Sequence, residues 1–258
     1  MPDKMAAIVL AGSRGPGDPV AEHLGINDKC LADIAGTPMV ARVVRALRTH
    51  PAIDEIVVVS NDPQKFATIL KEFDGIRHVA AAPGPSQSVS RALAELDGGW
   101  PVLLTTGDHA LLSEGIIDEF LRGSAGDMAV GLVRDQQIEA VAPGNRRTYF
   151  RFSDGRFSGA NLFYLGSVKV APVLDFWREV EAKRKKPWIL ILKFGLPSLF
   201  SYLVGRLSLA AAMRRVSKVL GLSVQAVQLS DGRAAIDVDK PGDLAMVRDL
   251  ISRDSGPR

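Results

Sequence analysis

A glycine-rich turn with a lysine behind it, and three aspartates far apart in the chain, are the residues here with the means to do chemistry. The first group is "LAGSRG", where Leu10, Ala11, Gly12, Ser13 and Arg14 follow an apolar run and the loop continues through Gly15 and Gly17 to Lys29. Glycines let a backbone turn tightly and present N–H groups to an anion, so a loop of this composition suits phosphate. The second is Asp108, directly after the apolar stretch "VLLTTG". A carboxylate in that place can hold Mg²⁺ against a phosphate, and the plainer reading is a turn or cap aspartate. The third is Asp237 and Asp239 in "AAIDVDKPGDL". Read as a strand carrying the two carboxylates on opposite faces, this segment lets only one of them share an ion with Asp108. The other then faces solvent or caps the helix that begins near Pro241.

Two familiar phosphate motifs do not fit. A P-loop needs Ser or Thr after its Gly-Lys, whereas Lys29 lies between Asp28 and Cys30, and the spacing of Gly12, Gly15 and Gly17 is not that of the dinucleotide fingerprint. Pro16, Asp18 and Pro19 favour a long irregular loop instead. The four histidines lack metal-ligand spacing, and His109, beside Asp108, reads as a turn residue. No Ser/His/Asp set can be assembled and Cys30 has no evident base, so covalent catalysis is not expected.

Elements must hold these residues together. The unbroken run from Ala6 to Leu10 suits a strand buried on both faces. The pattern then predicts a helix over 36–50, capped by Thr37 with Pro38 in its first turn and Met39, Val40, Val43, Val44 and Leu47 on its apolar face. Strand, helix and strand follow over 53–60, 63–73 and 76–80, then a helix over 88–96, a strand over 101–108 and a helix over 113–121. This rhythm predicts an α/β fold with a doubly wound, mostly parallel sheet, whose ligands sit at the carboxyl ends of the strands. The first glycine loop and "TTGD" then share one edge. In the second half, strands are expected within 127–133, 148–155 and 159–166, and again at 223–229 and 232–238. Between them lies a helical insertion at about 173–221, broken near Gly195 and Pro197, and the chain closes with a helix over 240–251. One domain over 1–258 is the expected organisation.

Composition narrows the classes of function. A chain of 258 residues with 47% hydrophobic content can build a core without staples, and a single cysteine excludes an internal disulfide. The formal charge of +3 is too small, and the basic residues too little interleaved with aromatics, to imply nucleic-acid binding. No signal-peptide pattern opens the sequence, so cytoplasmic residence is expected.

"LAGSRG" with its lysine, "SVSRAL", "TTGD" and "IDVDKPGDL", in that order, resemble the nucleotidyltransferases of the molybdenum cofactor guanylyltransferase type, relatives of the sugar-phosphate and alditol-phosphate cytidylyltransferases. The resemblance runs from Ala6 to Leu250 and leaves the region around 188–220 uncovered. It implies a Rossmann-like nucleotidyltransferase fold and transfer of NMP from a nucleoside triphosphate to a small phosphorylated acceptor, with Mg²⁺ as cofactor and pyrophosphate as product. Carried over, it assigns Leu10 to Arg14 and Lys29 to the triphosphate, Asp108 and Asp237 to the metal, Gly84 and Ser88 to the nucleobase, and Asn161 to the acceptor. Two rivals stand beside it: a nucleotide-sugar-dependent glycosyltransferase, and a catalytically silent module that binds nucleotide or docks on a membrane.

One stretch falls outside this chemistry. Residues 187–207, "PWILILKFGLPSLFSYLVGRL", follow the basic cluster Lys183 to Lys186. Lys193, Gly195 and Pro197 interrupt it, which argues against a membrane span. Two readings remain for it. It is either buried against the domain or a homodimer partner, or it is a surface hairpin that offers Trp188, Leu190, Leu192, Phe194, Leu199 and Phe200 to the inner face of a membrane as a peripheral contact.

Overall fold

The computed structural model describes residues 4–13, 17–96, 99–145, 147–182 and 196–254. Its first half alternates strand and helix. Strand β1 (Met5–Ala11) leads to helix α1 (Pro19–Leu24), and a two-residue hairpin of β2 (Asp33–Ile34) and β3 (Thr37–Pro38) precedes α2 (Met39–Thr49). The pattern goes on through β4 (Ile53–Ser60), α3 (Pro63–Ile69), β5 (Ile76–Ala80), α4 (Pro85–Ala94), β6 (Val102–Thr106) and α5 (Glu114–Gly123). The second half adds β7 (Met128–Arg134), α6 (Asp135–Val141), β8 (Phe150–Phe152) and the long β9 (Gly155–Leu165). After these come α7 (Ala171–Ala182), α8 (Leu196–Leu203), α9 (Leu209–Leu220), β10 (Val224–Leu229) and α10 (Pro241–Asp254).

Eight described strands form one sheet in the order β10-β7-β9-β6-β1-β4-β5, with β8 paired to β9. Strand β1 runs parallel to β4 and β6, whereas β9 is antiparallel to both β6 and β7. The sheet is therefore mostly parallel and doubly wound, as the sequence rhythm predicts. The apolar run of β1 has a direct reason: Ala7, Val9 and Ala11 enter the core under α2 and α5, while Ala6 and Ile8 enter the one under α4 and α7. A central strand covered on both faces has no polar side to show.

Four local expectations are corrected. Helix α2 begins at Met39 and Thr37 does not cap it, because Ala35 and Gly36 take left-handed backbones and turn Thr37–Pro38 back against Asp33–Ile34. The loop after Gly17 is not irregular throughout. Asp18 accepts from the amides of Val20 and Ala21 at 3.0 Å, Pro19 starts the helix, and α1 results. Helix α3 stops at Ile69, four residues short of the expected end. The strand expected at 232–238 is instead a 3₁₀ turn over Gly232–Ala235, started by Asp231 accepting from Arg233 N at 2.9 Å. Gly232 lies against the backbone of Gln137 and Ile138, where no side chain would fit.

Candidate active site

The carboxyl ends of β1, β4, β5 and β6 open into a cleft of about 620 Å³. That volume suits a nucleotide-sized ligand. Leu10, Gly12 and Ser13 enter it from the end of β1, and Ser13 N donates to Asn61 Oδ1 at 2.9 Å, which ties this turn to the end of β4. Ala11 does not line the cleft. Its methyl packs beneath Gly107, where even a Cβ would come within 2.9 Å of it, and this close approach brings the "TTGD" turn against β1. Arg14 lies outside the described residues.

Lys29 reaches the cleft from a 3₁₀ turn over Lys29–Leu31 that Asp28 caps by accepting from Cys30 N at 2.9 Å. Its ammonium meets Asp108 Oδ2 and Asp239 Oδ1, each at 2.7 Å, and donates to the Val238 carbonyl at 3.0 Å. Desolvation works against the charge on Lys29, but Asp108 and Asp239 outweigh it and hold the pKa above the usual lysine value. The other oxygen of Asp108, Oδ1, is buried without a hydrogen-bond partner among the described residues. An orphaned carboxylate oxygen in a ligand cleft is an open coordination position.

Asp237 is the second carboxylate of this group. Arg147 pairs with its Oδ1, and Asn161 Nδ2 donates to its Oδ2 at 3.0 Å. Burial raises the Asp237 pKa, and the guanidinium of Arg147 opposes that. Asn161 holds its bond from a left-handed backbone with φ 49°, an uncommon state for a residue other than glycine, at the point where the register of β7 and β9 shifts. The opposite-face expectation for Asp237 and Asp239 is corrected. Residues two apart in extended chain share a face, so Ile236 and Val238 fill the core and both aspartates line the cleft. Nor does Asp239 cap α10. Instead Asp243, in the first turn of α10, reaches back and accepts from the amides of Asp239 and Lys240.

Across the cleft, Gly84 is the N-cap position of α4, and Ser88 in its first turn accepts from Ala82 N at 2.9 Å. Both line the cleft together with Phe163 and Trp177, whose rings lie 6.4 Å apart. Helix α7, which begins the helical segment, thus supplies part of the wall. Of the expected residues, Leu10, Gly12, Ser13, Lys29, Gly84, Ser88, Asp108, Asn161 and Asp237 come together in one cleft. Sequence reasoning missed Asn61, Trp177 and Arg147. Asn61 had a signal, since it directly follows the strand "IVVVS"; Arg147, in the loop before β8, had none.

Mg²⁺ fits these residues. Among the described residues no three His, Cys, Asp or Glu side chains form a closed metal site. Mg²⁺ does not need one where it is held by one or two carboxylates plus substrate phosphates, and Asp108 has an oxygen to spare for it.

His109, next to Asp108, is 1% exposed, and neither ring nitrogen has a partner among the described residues. Burial drives its pKa down to about 4, opposed by Asp108 and helped by Arg147. The unfolded chain then takes up a proton below pH ~6.5 that the folded chain refuses, so stability rises with pH from about 4 to 6.5 and falls on acidification. About 3 kcal/mol is expected to disappear across that window. Urea unfolding at stepped pH would show this slope in the parent and a flatter one in His109→Gln. Equal slopes would mean the imidazole titrates normally.

Residues 7–219 match the family model described as a MobA-like NTP transferase domain, so the match runs through the helical segment. A molybdenum cofactor guanylyltransferase of Pseudomonas putida is 32% identical over 139 residues, which span 52% of this chain and 67% of the relative. A 2-C-methyl-D-erythritol 4-phosphate cytidylyltransferase of Dehalococcoides mccartyi is 26% identical over 149 residues, spanning 55% and 63%. A solved structure described as a hypothetical transferase from Thermus thermophilus superposes with a TM-score of 0.81 at 30% identity, covering 93% of this chain and 99% of that one.

Proposed function

Because this chain belongs to the family of MobA-like NTP transferase domains, and is thus a nucleotidyltransferase, we propose that it transfers a nucleoside monophosphate from a nucleoside triphosphate to a small phosphorylated acceptor. The observation that carries the reading is the meeting of Lys29, Asp108, Asp237 and Asp239 at the strand ends, in one cleft with the β1 turn. In the reaction, an anionic phosphate oxygen of the acceptor attacks the α-phosphorus. The bond from that phosphorus to the bridging oxygen of the β-phosphate breaks, and its electron pair leaves with pyrophosphate.

A phosphate monoester is largely ionised near neutral pH, so the attacking oxygen needs no strong base. What the step needs is neutralised charge and in-line placement. Lys29, charged throughout the neutral range, donates to phosphate oxygens, and the turn at Gly12 lets the backbone approach the same anion closely. Asp108 and Asp237 would hold Mg²⁺, which when bound neutralises phosphate charge and so lowers the cost of the transition state. Asn161 and Arg147 fix the carboxylate of Asp237 in place. The half-buried rings of Phe163 and Trp177 and the loop from Ala81 to Pro85 offer a flat, partly apolar wall that suits a base.

The four ribonucleoside triphosphates tested against pooled phosphorylated sugars, polyols and cofactor precursors, with pyrophosphate release as readout, decide the matter. Since relatives are named guanylyl- and cytidylyltransferases, GTP and CTP come first. Release that depends on acceptor and Mg²⁺ is expected. Sugar transfer from a nucleotide sugar without pyrophosphate would establish a glycosyltransferase instead, and tight Mg-nucleotide binding without turnover would leave a silent module.

A further inference from the structure

We propose that helix α8 and the start of α9 form a docking surface for an anionic lipid bilayer. Charge is distributed very unevenly along this chain. Of its 32 lysines and arginines, nine fall between Lys183 and Leu220, and none of its 29 acidic residues does. The remainder of the chain therefore carries a formal net charge of −6, and the +3 of the whole arises from this one segment. Within its described part, Arg206, Arg214 and Lys218 are exposed, the last two four residues apart and so on one side of α9.

The same part carries apolar side chains in solvent. Phe200 is 66% exposed, Leu203 71% and Val204 47%. Tyr202, between them, turns the other way: its ring packs edge-on to Phe152 at 6.0 Å, and its hydroxyl accepts from Arg151 N. Ser153 N donates to the Leu207 carbonyl and Asp154 caps α9 at Leu209 N, so the hairpin of β8 and β9 holds this helical corner on the domain. Phe150, on β8 beside the Arg151 that holds Tyr202, is a further exposed apolar side chain at 51%.

Large exposed apolar side chains in a segment rich in exposed basic residues and without an acidic one match a bilayer in both respects. The apolar groups enter the acyl boundary, and the cations meet anionic head groups at roughly a fivefold gain in partition per Lys or Arg. The helices need not span: no helix among the described residues is long and apolar enough to cross a membrane. Of the side chains expected at such a surface, those of Trp188, Leu190, Leu192, Phe194 and Leu199 and the cluster Lys183 to Lys186 lie outside the described ones, and Phe200 is in solvent. A second copy of the chain is a poorer fit, since it would bring a second set of like charges to the contact.

The test is flotation of the full chain with vesicles of phosphatidylcholine alone and with increasing phosphatidylglycerol. Binding is expected to rise with anionic lipid, to fall with salt, and to drop at least about tenfold in Phe200→Ser/Leu203→Ser. Arg214→Glu/Lys218→Glu should lower it through charge alone, at positions whose exposure leaves the fold unaffected. Circular dichroism checks both variants. No binding at any composition, or binding indifferent to both variants, overturns the proposal. So does a concentration-dependent dimer by light scattering that the serine variant abolishes, because that assigns the face to a second copy.

Discussion

Asp108→Asn and Asp237→Asn are each expected to lower Mg²⁺-dependent turnover by roughly 10³-fold, the equivalent of several kcal/mol of lost transition-state stabilisation. Each exchange keeps the shape of the side chain and removes the charge that a hard cation requires. In Asp108 the loss falls on the buried Oδ1, which has no partner among the described residues, while the amide oxygen can still accept from Lys29. In Asp237 it falls on the partner of the mostly buried Arg147, so the substitution also leaves that guanidinium without its counter-ion, and a lower melting temperature is expected beside the lost turnover. Thermal melting without ligand separates the two effects. Turnover lost at temperatures where the variant is still folded places the carboxylate in the chemistry, whereas turnover within threefold of the parent in either variant removes that residue from it. Asp239→Asn is expected to be milder, about tenfold, since its side chain is half exposed and touches Lys29 from the solvent side. An essential Asp239 with a dispensable Asp237 would move the metal from one carboxylate to the other.

The sequence made the sheet legible because its central strands are buried on both faces. Ala6 to Leu10 had to be apolar at every position, and the alternation with amphipathic helices such as α2 left few other architectures. Asp108 was legible for a related reason, since a carboxylate that ends a buried strand is on the ligand edge by topology. Contacts between residues distant in sequence were not legible. Lys29 and Asp239 are 210 residues apart, and Arg147 meets Asp237 across 90, from a loop without periodicity. The segment around Asp237 was misread where local chemistry prevailed over strand propensity. "SDG" begins an Asx-type turn, and close packing on α6 then shapes the backbone into a 3₁₀ turn before the two aspartates emerge side by side.

Lys29→Ala is expected to cost about 10²- to 10³-fold in kcat/KM, the range seen when a preorganised donor to developing charge is deleted. The loss should divide between nucleotide affinity and the chemical step, because a cation aimed at the triphosphate binds it before and during transfer. Without nucleotide the ammonium is occupied: Asp108 and Asp239 hold it between them, and the Val238 carbonyl completes the set. Its removal leaves the Asp108 carboxylate with no counter-ion among the described contacts, so the variant should also melt earlier than the parent. The charge of Lys29 sets the pH behaviour. A lysine whose pKa is raised on folding contributes stability that is complete below its unfolded value and is lost only as pH rises through the folded one. Turnover in the parent should therefore show no alkaline decline from this residue up to about pH 10. Pyrophosphate release measured across pH and nucleotide concentration tests both statements. Parent-like release from Lys29→Ala would mean that the lysine merely neutralises buried carboxylates and that the triphosphate is held by the backbone of the β1 turn, for which Gly12→Val would then become the damaging change.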